Sequence, residues 1–275
     1  MAFLLAMLAL GFLGAKIPSD ADIAIRIEDT IREQLHPASV KVVVKRRSSL
    51  STTVDLLEIS ISGFSADKLP LGPPAGEAQV PLAAAAPAPR PGRQVRIIDA
   101  HITCENFIIN ALPVRSLELR GRDVRIPWQA VRTGMFEISA AQFVNGSLVL
   151  EEKGLTKYLR TLPDLPITEP AISVTPEECR VSGKTRTLVK LPIQLSGRLA
   201  ARNGAVLYLD EPSLRVSIVR IPGFVSDRVL KDINPLADLN AEFLLPAPLA
   251  ITQTRLQHGL LRFDGALLFP QPEKK

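Results

Sequence analysis

Val40-Lys41-Val42-Val43-Val44-Lys45-Arg46-Arg47-Ser48-Ser49, followed shortly by Leu57-Glu58-Ile59-Ser60-Ile61-Ser62, is the stretch whose period decides the fold. Apolar residues recur at every second position, Val40, Val42 and Val44 on one arm and Leu57, Ile59 and Ile61 on the other. Each arm therefore reads as a strand with one apolar face. Arg46-Arg47-Ser48-Ser49 reads as the turn between them, which makes the pair a hairpin. The same alternation returns at Leu117/Leu119, Val124/Ile126, Leu148/Leu150, Leu214/Val216/Ile218 and from Ile251 to Phe263. Antiparallel strands with one buried face are the economical reading.

Immediately upstream the period is four. Ile23, Ile27, Ile31 and Leu35 recur on one side of a segment whose other positions carry Arg26, Asp29, Arg32 and Glu33, so an amphipathic helix of about four turns is expected. Ser19 with Asp22 three residues later forms the capping signal at its start. His36-Pro37 stops it, because the residue before a proline is pushed out of helical space. Two further short helices are predicted, one from Leu155 to Leu162 ended by Pro163 and one from Ser226 to Ile233 ended by Asn234-Pro235. The fold class is α+β, dominated by antiparallel strands.

Met1 to Ala15 is apolar throughout. As a helix it reaches about 22 Å, short of the ~30 Å hydrocarbon core, so residues 1–17 read as a signal peptide or short membrane anchor and the protein as exported. A single domain is expected over residues 18–270, with a Pro/Ala-rich loop inserted at 69–92 and a tail at 271–275. Phe143 to Leu150 and Leu256 to Phe263 share an x-x-x-Gly-x-Leu pattern, with Gly146 and Gly259 at a bulge or tight turn.

Chemistry-bearing patterns are sparse. The three histidines His36, His101 and His258 are scattered, no Gly-x-Ser-x-Gly, HExxH or P-loop pattern occurs, and Cys104 and Cys179 stand in no metal-ligand spacing. Asp99 and His101, two apart on one strand, are the nearest approach to an acid/base pair. The reading is of a non-enzyme with no metal and no cofactor. Net charge is +5, which favours an anionic partner, while 5% aromatic content argues against base stacking and hence against nucleic acid. Two basic groups stand out: Lys41, Lys45, Arg46 and Arg47 at the first hairpin, and Arg180, Lys184, Arg186, Lys190, Arg198 and Arg202 in a stretch free of carboxylates.

Ile221-Pro222-Gly223-Phe224, Asn234-Pro235-Leu236, Asp238-Leu239, Leu245-Pro246-Ala247-Pro248-Leu249 and the hairpin Leu256 to Gly265 resemble the closing part of the LmeA-like family of phospholipid-binding bacterial envelope proteins. Ile61-Ser62-Gly63-Phe64 and Gly146 to Leu150 running into Leu155 to Leu159 extend the likeness. The resemblance implies a protein of the cell envelope that binds phospholipid, with a strongly twisted sheet curled around the N-terminal helix as in tubular lipid-binding domains. On that expectation Ile23, Ile27, Ile31, Leu35, Val42, Val44, Phe224, Val229 and Ile233 line an apolar groove. Lys45, Arg46 and Arg47 hold the headgroup against an anionic membrane surface. The alternative is an envelope interaction module with no lipid ligand.

Overall fold

Ser19 opens the first helix with a reciprocal cap: its hydroxyl accepts the Asp22 N–H at 3.1 Å, and the Asp22 carboxylate accepts the Ser19 N–H at 2.8 Å. Helix α1 (Asp20–Leu35) runs from that cap to His36, whose left-handed backbone ends it ahead of Pro37. The computed structural model describes residues 19–48, 51, 53–66, 94–127, 138–162, 165, 167–186, 190–202, 204–216, 234–243 and 247–269. The expected leader (1–17), insertion (69–92), helix Ser226–Ile233 and tail (271–275) lie outside the described residues, as do Phe224, Val229 and Ile233.

Most of the described chain is β-structure, arranged in two sheets. The first contains β1 (Ser39–Arg46), β2 (Thr53–Ser62), β3 (Ser65–Ala66), β4 (Gln94–Ile109), β5 (Leu112–Pro127), β6 (Phe143–Glu151), β12 (Leu249–Gln257) and β13 (Leu260–Leu267). Its order is β1-β2-β4-β5-β6-β13-β12, with β3 alongside β4. The second contains β7 (Ile167–Val174), β8 (Cys179–Thr185), β9 (Pro192–Arg202), β10 (Val206–Val216) and β11 (Ala237–Asp238), ordered β11-β10-β9-β8-β7 and antiparallel throughout. Short helices α2 (Glu152–Leu159) and α3 (Leu239–Phe243) complete the elements among the described residues. The helix expected at Leu155–Leu162 thus begins and ends three residues early, with Tyr158 and Leu159 buried.

The deciding hairpin forms in the register its alternation demands, with Val40 opposite Ile61, Val42 opposite Ile59 and Val44 opposite Leu57. All six of these side chains are buried. The next pairing is an exception to the mostly antiparallel pattern: β2 lies parallel to β4, Leu57 beside Ala100 and Ile61 beside Cys104. Parallel neighbours cannot be joined by a tight turn, since the chain must return along the whole strand before starting again. Ala66 at the end of β3 and Gln94 at the start of β4 are separated in the sequence by residues 67–93, which contain the Pro/Ala-rich stretch.

Left-handed non-glycine residues stand inside four long strands, Asn106 in β4, Asp123 in β5, Glu169 in β7 and Glu211 in β10. At Glu169 and Glu211 the ladder register shifts, between Thr168 and Ala171 in β7 and between Asp210 and Ser213 in β10. Such bulges bend a strand and increase its twist.

One edge strand of each sheet, β1 in the first and β7 in the second, is capped by helix side chains. On the free side of β1, Glu28 Oε1 accepts the Val42 N–H at 2.9 Å and Asp20 Oδ2 accepts the Arg46 N–H at 3.0 Å. On the free side of β7, Thr156 Oγ1 accepts the Ile172 N–H at 2.9 Å and Glu152 Oε2 accepts the Val174 N–H at 2.8 Å. Unpaired edge donors invite another chain, and these acceptors occupy them. The inner faces meet in one continuous core running from Ile27 and Ile59 through Ile97, Ile126 and Leu150 to Leu195 and Leu209. Cys104 and Cys179 are buried in different sheets as free thiols, and burial pushes each thiol up to about 12.

Candidate functional site

The inner face of the first sheet carries a break in its aliphatic surface. In the ladder across β5, β6, β13 and β12, Leu119 stands opposite Gly146, Gly146 opposite Gly265, and Gly265 opposite Ile251. Two adjacent strands therefore present bare backbone at the same level, walled by Leu119 on one side and Ile251 on the other. The neighbouring levels close the ends, with Leu117, Leu148 and Phe263 at one and Val144, Leu267 and Leu249 at the other. The result is a narrow apolar slot of about 30 Å³ with a glycine floor. Leu249 and Ile251 of the β12 wall are only partly buried.

The two glycines are not equivalent. A Cβ on Gly265 would lie 2.5 Å from the Ala250 carbonyl oxygen, a backbone contact made where β12 is irregular between Ile251 and Gln253. A Cβ on Gly146 would meet the Leu119 Cδ2 methyl at 3.0 Å, the far end of a side chain. Of the two glycines in the shared strand-entry pattern, Gly259 forms the tight β12–β13 turn, whereas Gly146 lies within β6 opposite Gly265.

Of the predicted groove residues, Ile23, Ile27, Ile31, Val42 and Val44 are buried and Leu35 is half-buried against the core. They belong to the packing of α1 on β1, away from the slot. Lys45 is exposed. Arg46 is not: its side chain is 3% exposed and its Nε donates to Asp20 Oδ1 at 2.6 Å. Arg47 is exposed and lies 3.4 Å from Asp55. The slot residues were missed because each strand shows ordinary alternation, and only the pairing of Gly146 with Gly265 creates the gap.

The polar face behind the slot neutralises itself. Glu118 accepts from Arg120 and contacts His101 Nε2 at 3.0 Å, while Asp264 is bridged by Arg262 at 3.0 Å and approached by Arg255 at 3.9 Å. Asp99 accepts from Arg122 at 3.2 Å, so Asp99 and His101 look to different partners. Among the described residues no group of three or more His, Cys, Asp or Glu side chains could hold a metal ion.

The described residues thus form a two-sheet β-protein with a narrow apolar slot on the inner face of the first sheet. The sequence profile of the LmeA-like phospholipid-binding family matches residues 93–266, more than half of the chain, and the protein belongs to that family. No curated protein and no solved structure gives a match. The matched stretch begins after the first hairpin, so it includes β5, β6, β12 and nearly all of β13, and leaves out α1, β1 and β2.

Proposed function

We propose that the protein binds phospholipid without catalysing a reaction, seating an acyl chain on the Gly146–Gly265 floor, and that it serves as a lipid carrier of the cell envelope. One observation carries this reading: the apolar slot is built almost wholly from strands inside the stretch shared with the phospholipid-binding family. Each methylene removed from water contributes about 0.8 kcal/mol, so an acyl segment of a few carbons is enough to part the walls. Aliphatic walls without built-in polar groups accept chains of different length. The apolar amino terminus supports export.

The tightness of the slot favours one alternative, an interaction module of the envelope with no lipid. Native mass spectrometry of the purified protein separates the two. Wild type is expected to carry phospholipid, and Gly146→Val, a residue suited to a strand, is expected to lose it while remaining folded. Wild type that carries none, and takes up none when mixed with vesicles, overturns the lipid reading.

A further inference from the structure

The outer face of the second sheet holds the basic residues that the core does not use. Arg180, Ser182 and Lys184 on β8 alternate with buried Cys179 and Val181, while Gln194, Ser196 and Arg198 on β9 alternate with buried Ile193, Leu195 and Leu199. Register brings Ser182, Gln194 and Arg215 into one row across β8, β9 and β10. Between them lies a trough of about 470 Å³ that includes Lys184, Arg215, Gln194, Ser182 and a single carboxylate, Glu169.

Carboxylates from neighbouring positions neutralise part of this face: Glu178 engages Arg180, Asp210 engages Arg202, and Glu169 engages Lys184 at 2.6 Å. Arg215 and Lys190 have no carboxylate partner among the described residues. Arg198 stands across from Asp210, which Arg202 already holds. Glu169 is exposed, yet its carboxyl is held below the ordinary range by the hydrogen bond and charge of Lys184, with Lys190 and Arg160 adding to the effect. Lys184, Lys190 and Arg160 thus act on one acid, and Arg215 stands in the same trough. The strands bearing Lys184 and Arg215 are about 10 Å apart, so the cations are spread over a surface instead of converging on one small ion. Ammonium, guanidinium, hydroxyl and amide donors together suit phosphate oxygens.

We propose that this face seats the protein on an anionic bilayer, with headgroup phosphates entering the Lys184–Arg215 trough. The inference rests on the phospholipid reading and supplies the surface from which the slot would be loaded. Co-sedimentation with vesicles of phosphatidylcholine, alone or mixed with phosphatidylglycerol, tests it. Wild type should bind the mixed vesicles in a salt-dependent way. Arg198→Glu combined with Arg215→Glu should weaken that binding at least about tenfold. Arg26→Glu combined with Lys41→Glu, exposed positions on α1 and β1, makes the same change in net charge and should leave it nearly unchanged. Equal effects of the two pairs, or none from the first in a protein whose melt shows it folded, overturns the docking face. So does stabilisation by inorganic phosphate that is lost in Arg215→Glu while vesicles are not bound at all. Phospholipid loaded from detergent should be retained by the Arg198/Arg215 variant. Loss of lipid from every form would instead count against the slot.

Discussion

The Asp20 carboxylate holds Arg46 at two points, Oδ1 accepting from Nε at 2.6 Å and Oδ2 accepting from the backbone N–H at 3.0 Å. One side chain at the start of α1 thereby caps the edge of β1 and fixes a guanidinium that the surrounding residues bury. Arg46 ties helix to sheet and is not free for a headgroup.

Asp20→Ala is accordingly expected to destabilise the fold by about 1–3 kcal/mol, because it removes both an edge acceptor and the carboxylate facing a buried cation. Asp20→Asn should lie between it and wild type. Charge reversal at Arg46 should cost at least as much as Asp20→Ala, whereas reversal at exposed Arg47 should change stability by no more than about 0.5 kcal/mol. Denaturant unfolding of the four variants measures the order.

Connector length between β2 and β4 is a second quantity that the parallel pairing predicts. β3 ends beside Ile109 and β4 restarts at Gln94, so the connection must cover close to the length of β4. At ~3.3 Å per strand residue that is about 50 Å, and an extended chain needs about 15 residues to reach it. Replacing residues 67–93 by a six-residue Gly/Ser linker should abolish cooperative unfolding. A linker of about 20 residues should preserve it at nearly wild-type stability, since closure entropy grows slowly with length.

The glycine floor should respond unequally to substitution. Gly265→Ala forces a methyl against the Ala250 carbonyl and should cost about 1–3 kcal/mol. Gly146→Ala asks only a side-chain methyl of Leu119 to move and should stay within about 1 kcal/mol of wild type. Thermal melts of both variants check the ranking, and equal losses would show that the floor is not backbone-limited at Gly265.

Acid should unfasten the β4–β5 ladder before the core. Burial would raise the Asp123 carboxyl, but hydrogen bonds from Arg96 and Arg125 outweigh it and hold the carboxyl below its ordinary 3.8. Glu118 is lowered in the same way from 4.5, burial being outweighed by Arg120 and His101. Folded values below the unfolded ones mean that this stability is complete above the ordinary carboxylate range and is lost as pH falls through the folded values. Asp123→Asn should therefore be less stable than wild type at neutral pH and lose less on acidification below 3.8. Urea midpoints measured at neutral and acidic pH would show parallel losses if the ion pairs contribute nothing.

Sequence reading reached α1, its cap and its stop, the β1–β2 hairpin, and the family, because each rests on residues close together in the chain. It placed Ile23, Ile27 and Ile31 inside correctly, but had no means of telling a packed helix face from a ligand wall. In Arg180 to Arg202 it saw a run without acids, although Glu169, Glu178 and Asp210 reach three of those cations from neighbouring positions.

The periods of two and four residues were determined by the sequence alone, because each is a local property of the backbone that turns apolar side chains toward one face. Tertiary structure decided that β2 lies parallel to β4, that Asp20 and Glu28 close an edge, and that Gly146 meets Gly265. Those are contacts between residues far apart in the chain, selected by which pairing buries the most apolar surface while satisfying the backbone, and no single stretch of sequence contains both partners.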